Sequence, residues 1–72
     1  MDSIGTLEGR QDYTIHGELY ARLFFHIDGD SENIIQCQLP GDAFDNDVKV
    51  GDRIRITMLL STVMEIRKLP DE

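Results

Sequence analysis

The stretch that decides the fold is VKVGDRIRITMLL, residues 48–60. It contains a turn signal, Gly51-Asp52, because glycine accepts a positive φ and aspartate hydrogen-bonds to its own backbone two residues on. After this turn the residues alternate between two faces, Ile54, Ile56, Met58 and Leu60 on one and Arg53, Arg55, Thr57 and Leu59 on the other. A two-residue period predicts a β-strand over residues 53–60 with one face on a core.

Four further segments are predicted to be strands: residues 6–16, 18–28, 33–39 and 63–69. The clearest is 18–28, in which apolar residues occupy every second position. Its apolar face carries Leu19, Ala21, Leu23, Phe25 and Ile27. The sequence DGDS that follows at residues 28–31 is typical of a hairpin turn, which leads into the strand over 33–39.

The first strand, residues 6–16, has an interrupted pattern. Leu7, Tyr13 and Ile15 have the same parity and are expected to share an apolar face, with Gly9 and Gln11 between them. Glycine inside a strand indicates a bulge or a sharp bend. Residues 1–5 are expected to fray, and residues 70–72 form a polar end.

The connector GDAFDNDVK, residues 41–49, separates the third strand from the fourth, and the helical turn expected in it lies within residues 41–47. Its predicted core anchors are Ala43 and Phe44, and Asp42 is placed to cap one short helical turn. No other helix is predicted.

The chain as a whole, residues 1–72, is expected to form a single small β-barrel domain. Strands joined by tight turns favour antiparallel pairing, and so short a chain hides its sheet edges best by curling. Five strands with one insertion after the third resemble the layout of the OB-fold. The predicted fold is therefore all-β, a five-stranded antiparallel OB-like Greek-key barrel.

Composition narrows the classes of function. Fourteen acidic residues against seven basic ones give a net charge of −7, which repels a phosphate backbone. The single cysteine, Cys37, can build neither an internal disulfide nor a cysteine zinc cluster. No apolar run approaches the ~20 residues that cross a bilayer, and no secretory signal is recognised. These features favour an acidic cytoplasmic protein without a membrane segment.

The pattern LEG…HGELYARLFFHIDG…VKVGDRIRITMLLSTVM resembles the small molybdate-binding barrels of the Mop or TOBE type over almost the whole chain. Those barrels hold an oxyanion between subunits with backbone amides and hydroxyl side chains, so the resemblance implies oxyanion binding as one alternative function. At the ligand positions of that family the chain has DSIG at 2–5, LPGD at 39–42 and a leucine at 59, whereas Ser61 and Thr62 match. The carboxylate of Asp42 opposes an anionic ligand.

The outward stripe of the second strand supplies another candidate site, made of Tyr20, Arg22, Phe24 and His26. In OB-folds the face around the second and third strands binds oligonucleotides, with aromatic rings stacking on bases and cations facing phosphates. Arg53 and Arg55 extend this patch if the barrel brings the two faces together. Single-stranded nucleic acid is therefore an alternative ligand, although the net charge disfavours it.

Three apolar residues, Phe24, Ile34 and Leu59, are predicted on the outward faces of three different strands. A small barrel buries one face of each strand, so these side chains need a cover, either a partner chain or strong curvature of the barrel itself. The favoured interpretation is a small binding or assembly module that contacts a protein partner or a second copy of the chain.

No catalytic arrangement is recognised. His16 and His26, with the nearby aspartates, lack the spacing of a metal site, and the turn at 28–32 lacks the ligands of a calcium loop. Cys37 is expected to behave as a small buried hydrophobe within its strand. We therefore expect a protein that is not an enzyme and that needs no metal or other cofactor.

Overall fold

The structure, a computed structural model, describes residues 2–70, and these form five strands without a helix. The strands are β1 (Asp2–Ile15), β2 (Glu18–Ile27), β3 (Ile35–Pro40), β4 (Arg53–Leu59) and β5 (Thr62–Lys68). They lie in one antiparallel sheet in the order β3-β2-β1-β4-β5. The all-β, antiparallel, five-stranded prediction is confirmed, and each of these strands overlaps the segment predicted for it.

The sheet curls without closing completely, and β3 and β5 form its two edges. The connector after β3 spans the gap between them: Phe44 makes a parallel bridge with Ile66, and the Ile66 N–H donates to the Ala43 carbonyl at 2.9 Å. This arrangement is broadly that of an OB-like barrel. Because an edge strand offers unpaired backbone groups, the connector also protects part of the β5 edge.

The connector itself is not helical. It consists of turns around the isolated bridge at Phe44, so the helical turn predicted over residues 41–47 is absent. Phe44 is nevertheless a buried anchor, as predicted. The Arg10 guanidinium holds the connector in place, because it donates to the carbonyls of Asn46 and Val48, each at 2.8 Å, and lies 5.1 Å from the centre of the Phe44 ring.

The core lies inside the curled sheet and is apolar throughout. Its buried side chains are Leu7, Ala21, Leu23, Phe25, Leu39, Phe44, Val48, Ile54, Ile56 and Ile66. Burial of each large side chain contributes roughly 1.5–3 kcal/mol, so a handful of them supplies most of the driving force for folding. The inward faces predicted for β2 and for the start of β4 are confirmed.

Strand β1 is long because it serves two neighbours. Residues 2–6 pair with β4, and residues 5–15 pair with β2. Gly5 lies where both pairings overlap, and a Cβ atom built there would stand 2.1 Å from the His26 carbonyl oxygen. The fraying predicted for residues 1–5 is therefore wrong for residues 2–5, whereas Met1, Asp71 and Glu72 lie outside the described residues.

A β-bulge divides β1 between Leu7 and Gly9. Leu7 lies opposite the buried Phe25, but Gly9 lies opposite Phe24 on the outer face, so Glu8 is the extra residue. The bulge that glycine indicated is confirmed. The common apolar face predicted for Leu7, Tyr13 and Ile15 is wrong, because the extra residue moves the last two to the outside of the sheet.

A second bulge lies in the β4–β5 hairpin, where Met58 pairs with Val63 and leaves Met64 as the extra residue. The turn that follows contains Leu60, whose φ is 58° and whose side chain is 95% exposed. Leu60 was predicted on the core face, and that prediction is wrong. The strand ends at Leu59, so its alternation stops one residue before the end of the apolar run.

Candidate functional site

The bulge in β1 aligns three strands into one outer face, which we call the platform. Three rows of directly opposed residues cross it, Gly9–Phe24–Gln36, Gln11–Arg22–Gln38 and Tyr13–Tyr20–Pro40. Side chains that oppose each other across a sheet point to the same side. The platform side chains are therefore Gln11, Tyr13, Tyr20, Arg22, Phe24, Gln36 and Gln38.

Aromatic rings form both ends of the platform. Tyr13 and Tyr20 stack with their ring centroids 5.8 Å apart and their planes 15° from parallel. The Tyr20 hydroxyl donates to the Glu18 carboxylate at 3.3 Å, and the negative charge of Glu18 raises the pKa of Tyr20. This phenol therefore stays protonated and keeps its hydrogen for donation throughout the neutral range.

At the other end, the ring of Phe24 covers Gly9. A Cβ atom built on Gly9 would stand 3.0 Å from the Phe24 Cδ1 atom, so the glycine leaves space for the ring. Phe24 is half-buried as a result. The sheet itself thus provides part of the cover that this outward phenylalanine needs.

Arg22 occupies the centre of the platform, between Gln11 and Gln38. It lines a shallow cavity of about 310 Å³ together with Gln11, Tyr13, Ile15 and Gln38. Within residues 2–70, its Nε atom is the buried side-chain polar atom that has no hydrogen-bond partner. The cavity is lined by no acidic side chain, so the guanidinium faces an uncharged surface.

His26 and Arg53 belong to the neighbouring row, since both are paired with Thr6 of β1. His26 Nδ1 contacts the Glu8 carboxylate, and Arg53 donates to Asp28 and to the Thr6 hydroxyl. The hydrogen bond from Arg53 lowers the pKa of Asp28, so this carboxylate remains charged. Both side chains therefore adjoin the platform but already contact acidic partners.

Arg55 lies farther along β4, opposite Ile4 and Arg67. It is exposed, and it is not part of the platform rows. Of the six residues predicted as a binding face, the structure thus groups Tyr20, Arg22 and Phe24, places His26 and Arg53 beside them, and leaves Arg55 apart.

The three predicted interface residues do not form one patch. Phe24 belongs to the platform, Ile34 precedes edge strand β3, and Leu59 lies in β4 beyond β1. Ile34 and Leu59 are 51% and 62% exposed. Leu59 instead joins Ser3, Met58 and Leu60 around a separate cavity of about 300 Å³ at the β4–β5 turn.

Several predicted chemical groups lie away from the platform. Ser61 is exposed in the β4–β5 turn and Thr62 begins β5. Cys37 is half-buried on the core side of β3, and burial raises the pKa of its thiol to about 11, which disfavours the reactive thiolate. Among the residues that the structure describes, no group of histidine, cysteine or acidic side chains is arranged to hold a metal ion.

Sequence reasoning missed Gln11, Tyr13, Gln36 and Gln38 as members of the face. The glutamines carry no signal of their own, but they follow once the register between the strands is known. Tyr13 was missed because its parity placed it inside, and only the position of the bulge corrects this. Gly9 was the sequence signal for a bulge in this part of β1, but it did not fix which residue is the extra one.

Comparison with known proteins adds no assignment. No protein-family model, no curated protein and no solved structure matches this chain. The resemblance to molybdate-binding barrels stays a prediction. Across residues 2–70, no helix has the length and apolar character that crossing a membrane requires.

Proposed function

We propose that this protein is a small binding module that holds a protein partner on the platform. The observation that carries the proposal is the central, half-buried Arg22, set in an uncharged cavity between the stacked tyrosines and Phe24. Tyrosine and arginine are the residue types that most often dominate the binding energy of protein interfaces. Gln11, Gln36 and Gln38 add donors and acceptors around them.

The distribution of charge supports this choice. The chain has a net charge of −7, yet the described residues that line the central cavity of the platform include no acidic side chain. Acidic side chains instead gather elsewhere, for example Asp45 and Asp47 around a cavity beside Lys68. The core of a protein interface is typically poor in lysine, glutamate and aspartate and rich in aromatic residues and arginine, and the platform has this pattern.

Single-stranded nucleic acid is the second candidate, favoured by the stacked pair Tyr13–Tyr20. Stacking of a base on an aromatic ring contributes roughly 1–3 kcal/mol. Against this candidate, the platform rows contain one cationic side chain, Arg22. The neighbouring Arg53 already binds Asp28 and is therefore not free to bind a phosphate. Affinity for a phosphate backbone grows with the number of phosphates that are neutralised, and here that number is small.

Affinity capture from the producing cell tests both candidates at once. The bait is the intact protein, compared with Tyr20→Ala on the platform and with Leu59→Ala at the exposed β4–β5 turn as the matched control. We expect a protein to be retained by the parent and by Leu59→Ala but lost from Tyr20→Ala, with no effect of nuclease treatment. Circular dichroism checks that each variant is folded.

Each other result has a definite meaning. Capture that disappears after nuclease treatment identifies nucleic acid as the ligand. Loss in Leu59→Ala instead of Tyr20→Ala moves the contact surface to the β4–β5 turn and refutes the platform. A second copy of the chain is recognised by sedimentation equilibrium, as a mass above the 8.2 kDa of one chain.

A further inference from the structure

Three arginines in the described part of the chain donate hydrogen bonds to carboxylates, and Arg22 does not belong to this group. Arg10 donates to Asp12 at 2.8 Å, Arg67 donates to Asp45 at 3.2 Å, and Arg53 donates to Asp28. Among residues 2–70, no carboxylate is paired with Arg22 in this way. Arg55 likewise has no carboxylate partner among these residues, but it is exposed to solvent, whereas Arg22 is half-buried.

Burial makes the lack of a partner energetically more costly for Arg22. The Nε atom is shielded from solvent and has no hydrogen-bond partner. A buried donor that is left unpaired loses its bond to water without receiving another, which is unfavourable. Arg22 also lines the cavity, so a ligand bound there can supply an acceptor to its guanidinium.

The geometry of the cavity indicates the kind of acceptor. A guanidinium presents its donors in a planar fork that matches the two oxygens of a carboxylate. Gln11 and Gln38 flank Arg22 in register and place amide groups on either side of it. Tyr13 and Ile15 line the same cavity and offer an apolar wall. The cavity therefore suits a carboxylate carried on an apolar or mixed segment.

We infer that Arg22 binds one side-chain or terminal carboxylate on an otherwise apolar or mixed peptide segment of the protein partner. This inference rests on the proposed function and names the chemistry that the platform recognises. A polyphosphate or an oligonucleotide fits less well, because several negative charges would meet the single cation of the platform rows on a protein of net charge −7. A single carboxylate requires only one.

Selection from a library of displayed random peptides tests this inference without assuming the partner. The immobilised intact protein is compared with Arg22→Gln, and with Arg55→Gln as the matched control. Arg55 is an exposed arginine outside the platform. Each of the two substitutions removes one positive charge, so the net charge changes equally. Arg22→Lys keeps the charge but removes the planar fork.

We expect the parent and Arg55→Gln to select peptides with aspartate, glutamate or a free carboxyl terminus at one fixed position. The affinity of a selected peptide should fall about tenfold or more for Arg22→Gln, as is typical when a hydrogen-bonded charge loses its partner. It should fall less for Arg22→Lys. Replacing the acidic residue of the peptide by its amide should weaken binding to the parent but not to Arg22→Gln.

The inference is overturned if the selected peptides carry no acid, if the acid preference survives in Arg22→Gln, or if no peptide is selected above a blank surface. Its failure is distinguishable from failure of the proposed function. Peptides without an acid that still require Tyr20 leave the platform intact as a protein-binding face. Where no peptide is selected at all, the capture experiment with Tyr20→Ala decides the proposed function independently.

Discussion

The two halves of β1 differ in what they do, although they belong to one continuous strand. The first half, residues 2–7, pairs with β4 over residues 2–6 and with β2 from Gly5 onward, and it contributes the buried Gly5 and Leu7. The second half, residues 9–15, pairs with β2 alone and contributes Gln11 and Tyr13 to the platform. One half builds the barrel and the other half builds the candidate site.

The bulge at Glu8 separates these roles. In a regular strand every second residue faces the same side, so Tyr13 would point into the core with Leu7. The extra residue reverses the parity, turns Tyr13 outward against Tyr20 and turns Arg10 inward against Phe44. A single inserted residue thus decides which side chains of this half lie on the outer face of the sheet.

The largest expected effect comes from the same substitution made in each half. Gly5→Ala places a Cβ atom against backbone, 2.1 Å from the His26 carbonyl oxygen, whereas Gly9→Ala meets the end of the Phe24 ring at 3.0 Å. A backbone oxygen cannot move without shifting a strand, but a ring can turn. We expect Gly5→Ala to lower the free energy of unfolding by more than about 3 kcal/mol and Gly9→Ala by about 1 kcal/mol or less.

Urea unfolding followed by circular dichroism measures both values. The expected difference between the halves is contradicted if the two variants are equally stable, or if Gly9→Ala is the less stable one. If Gly9→Ala keeps the fold but exposes the Phe24 ring more, the expected difference between the two halves is supported.

An intermediate effect is expected from deleting Glu8, which removes the bulge. One half of β1 then has to slide by one residue, and either the core loses Leu7 or the platform loses Tyr13. We expect a loss of about 2 kcal/mol in unfolding free energy and the disappearance of the near-ultraviolet dichroism of the stacked tyrosines. Glu8→Ala is the control, because it keeps the residue count and should keep the tyrosine signal. An unchanged signal after the deletion contradicts the role assigned to the bulge.

Much of the barrel follows from the sequence because local rules determine it. Alternation places Leu23, Phe25 and Ile54 in the core, and Gly51-Asp52 marks the turn into β4. The candidate site follows less well, since its rows depend on register across three strands. Tyr20, Arg22 and Phe24 share one strand and are therefore predicted together, but Gln11 and Gln38 join them only through pairing between strands.

The errors have specific physical causes. An inserted residue reverses every later side chain of a strand, so misplacing one bulge misplaced both Tyr13 and Ile15. Leu60 was assigned to the core because it continues an apolar alternation, yet it occupies a turn with a positive φ. A leucine carries no signal for that conformation, whereas glycine or asparagine does.

The smallest expected effect is on the pKa of two aspartates, one near each half of β1, that are each bound by an arginine. Arg53 bridges β4 to Asp28 beside the first half, and Arg10 binds Asp12 within the second half. Each hydrogen bond lowers the pKa of the aspartate, so each pair stabilises the fold above the ordinary aspartate pKa and loses that contribution as the pH falls through the lowered value. Because both aspartates are exposed, the change in stability is small and the titration itself is the better measurement.

Carboxyl chemical shifts followed by nuclear magnetic resonance give the two midpoints separately. Arg53→Gln should raise the midpoint of Asp28 toward the ordinary aspartate value and leave Asp12 unchanged, and Arg10→Gln should do the reverse. Arg10→Gln should also loosen the connector, because Arg10 alone of the two donates to the carbonyls of Asn46 and Val48. If either substitution moved both midpoints, the halves of β1 would be electrostatically coupled across the bulge, and the division between barrel and site would not extend to their charges.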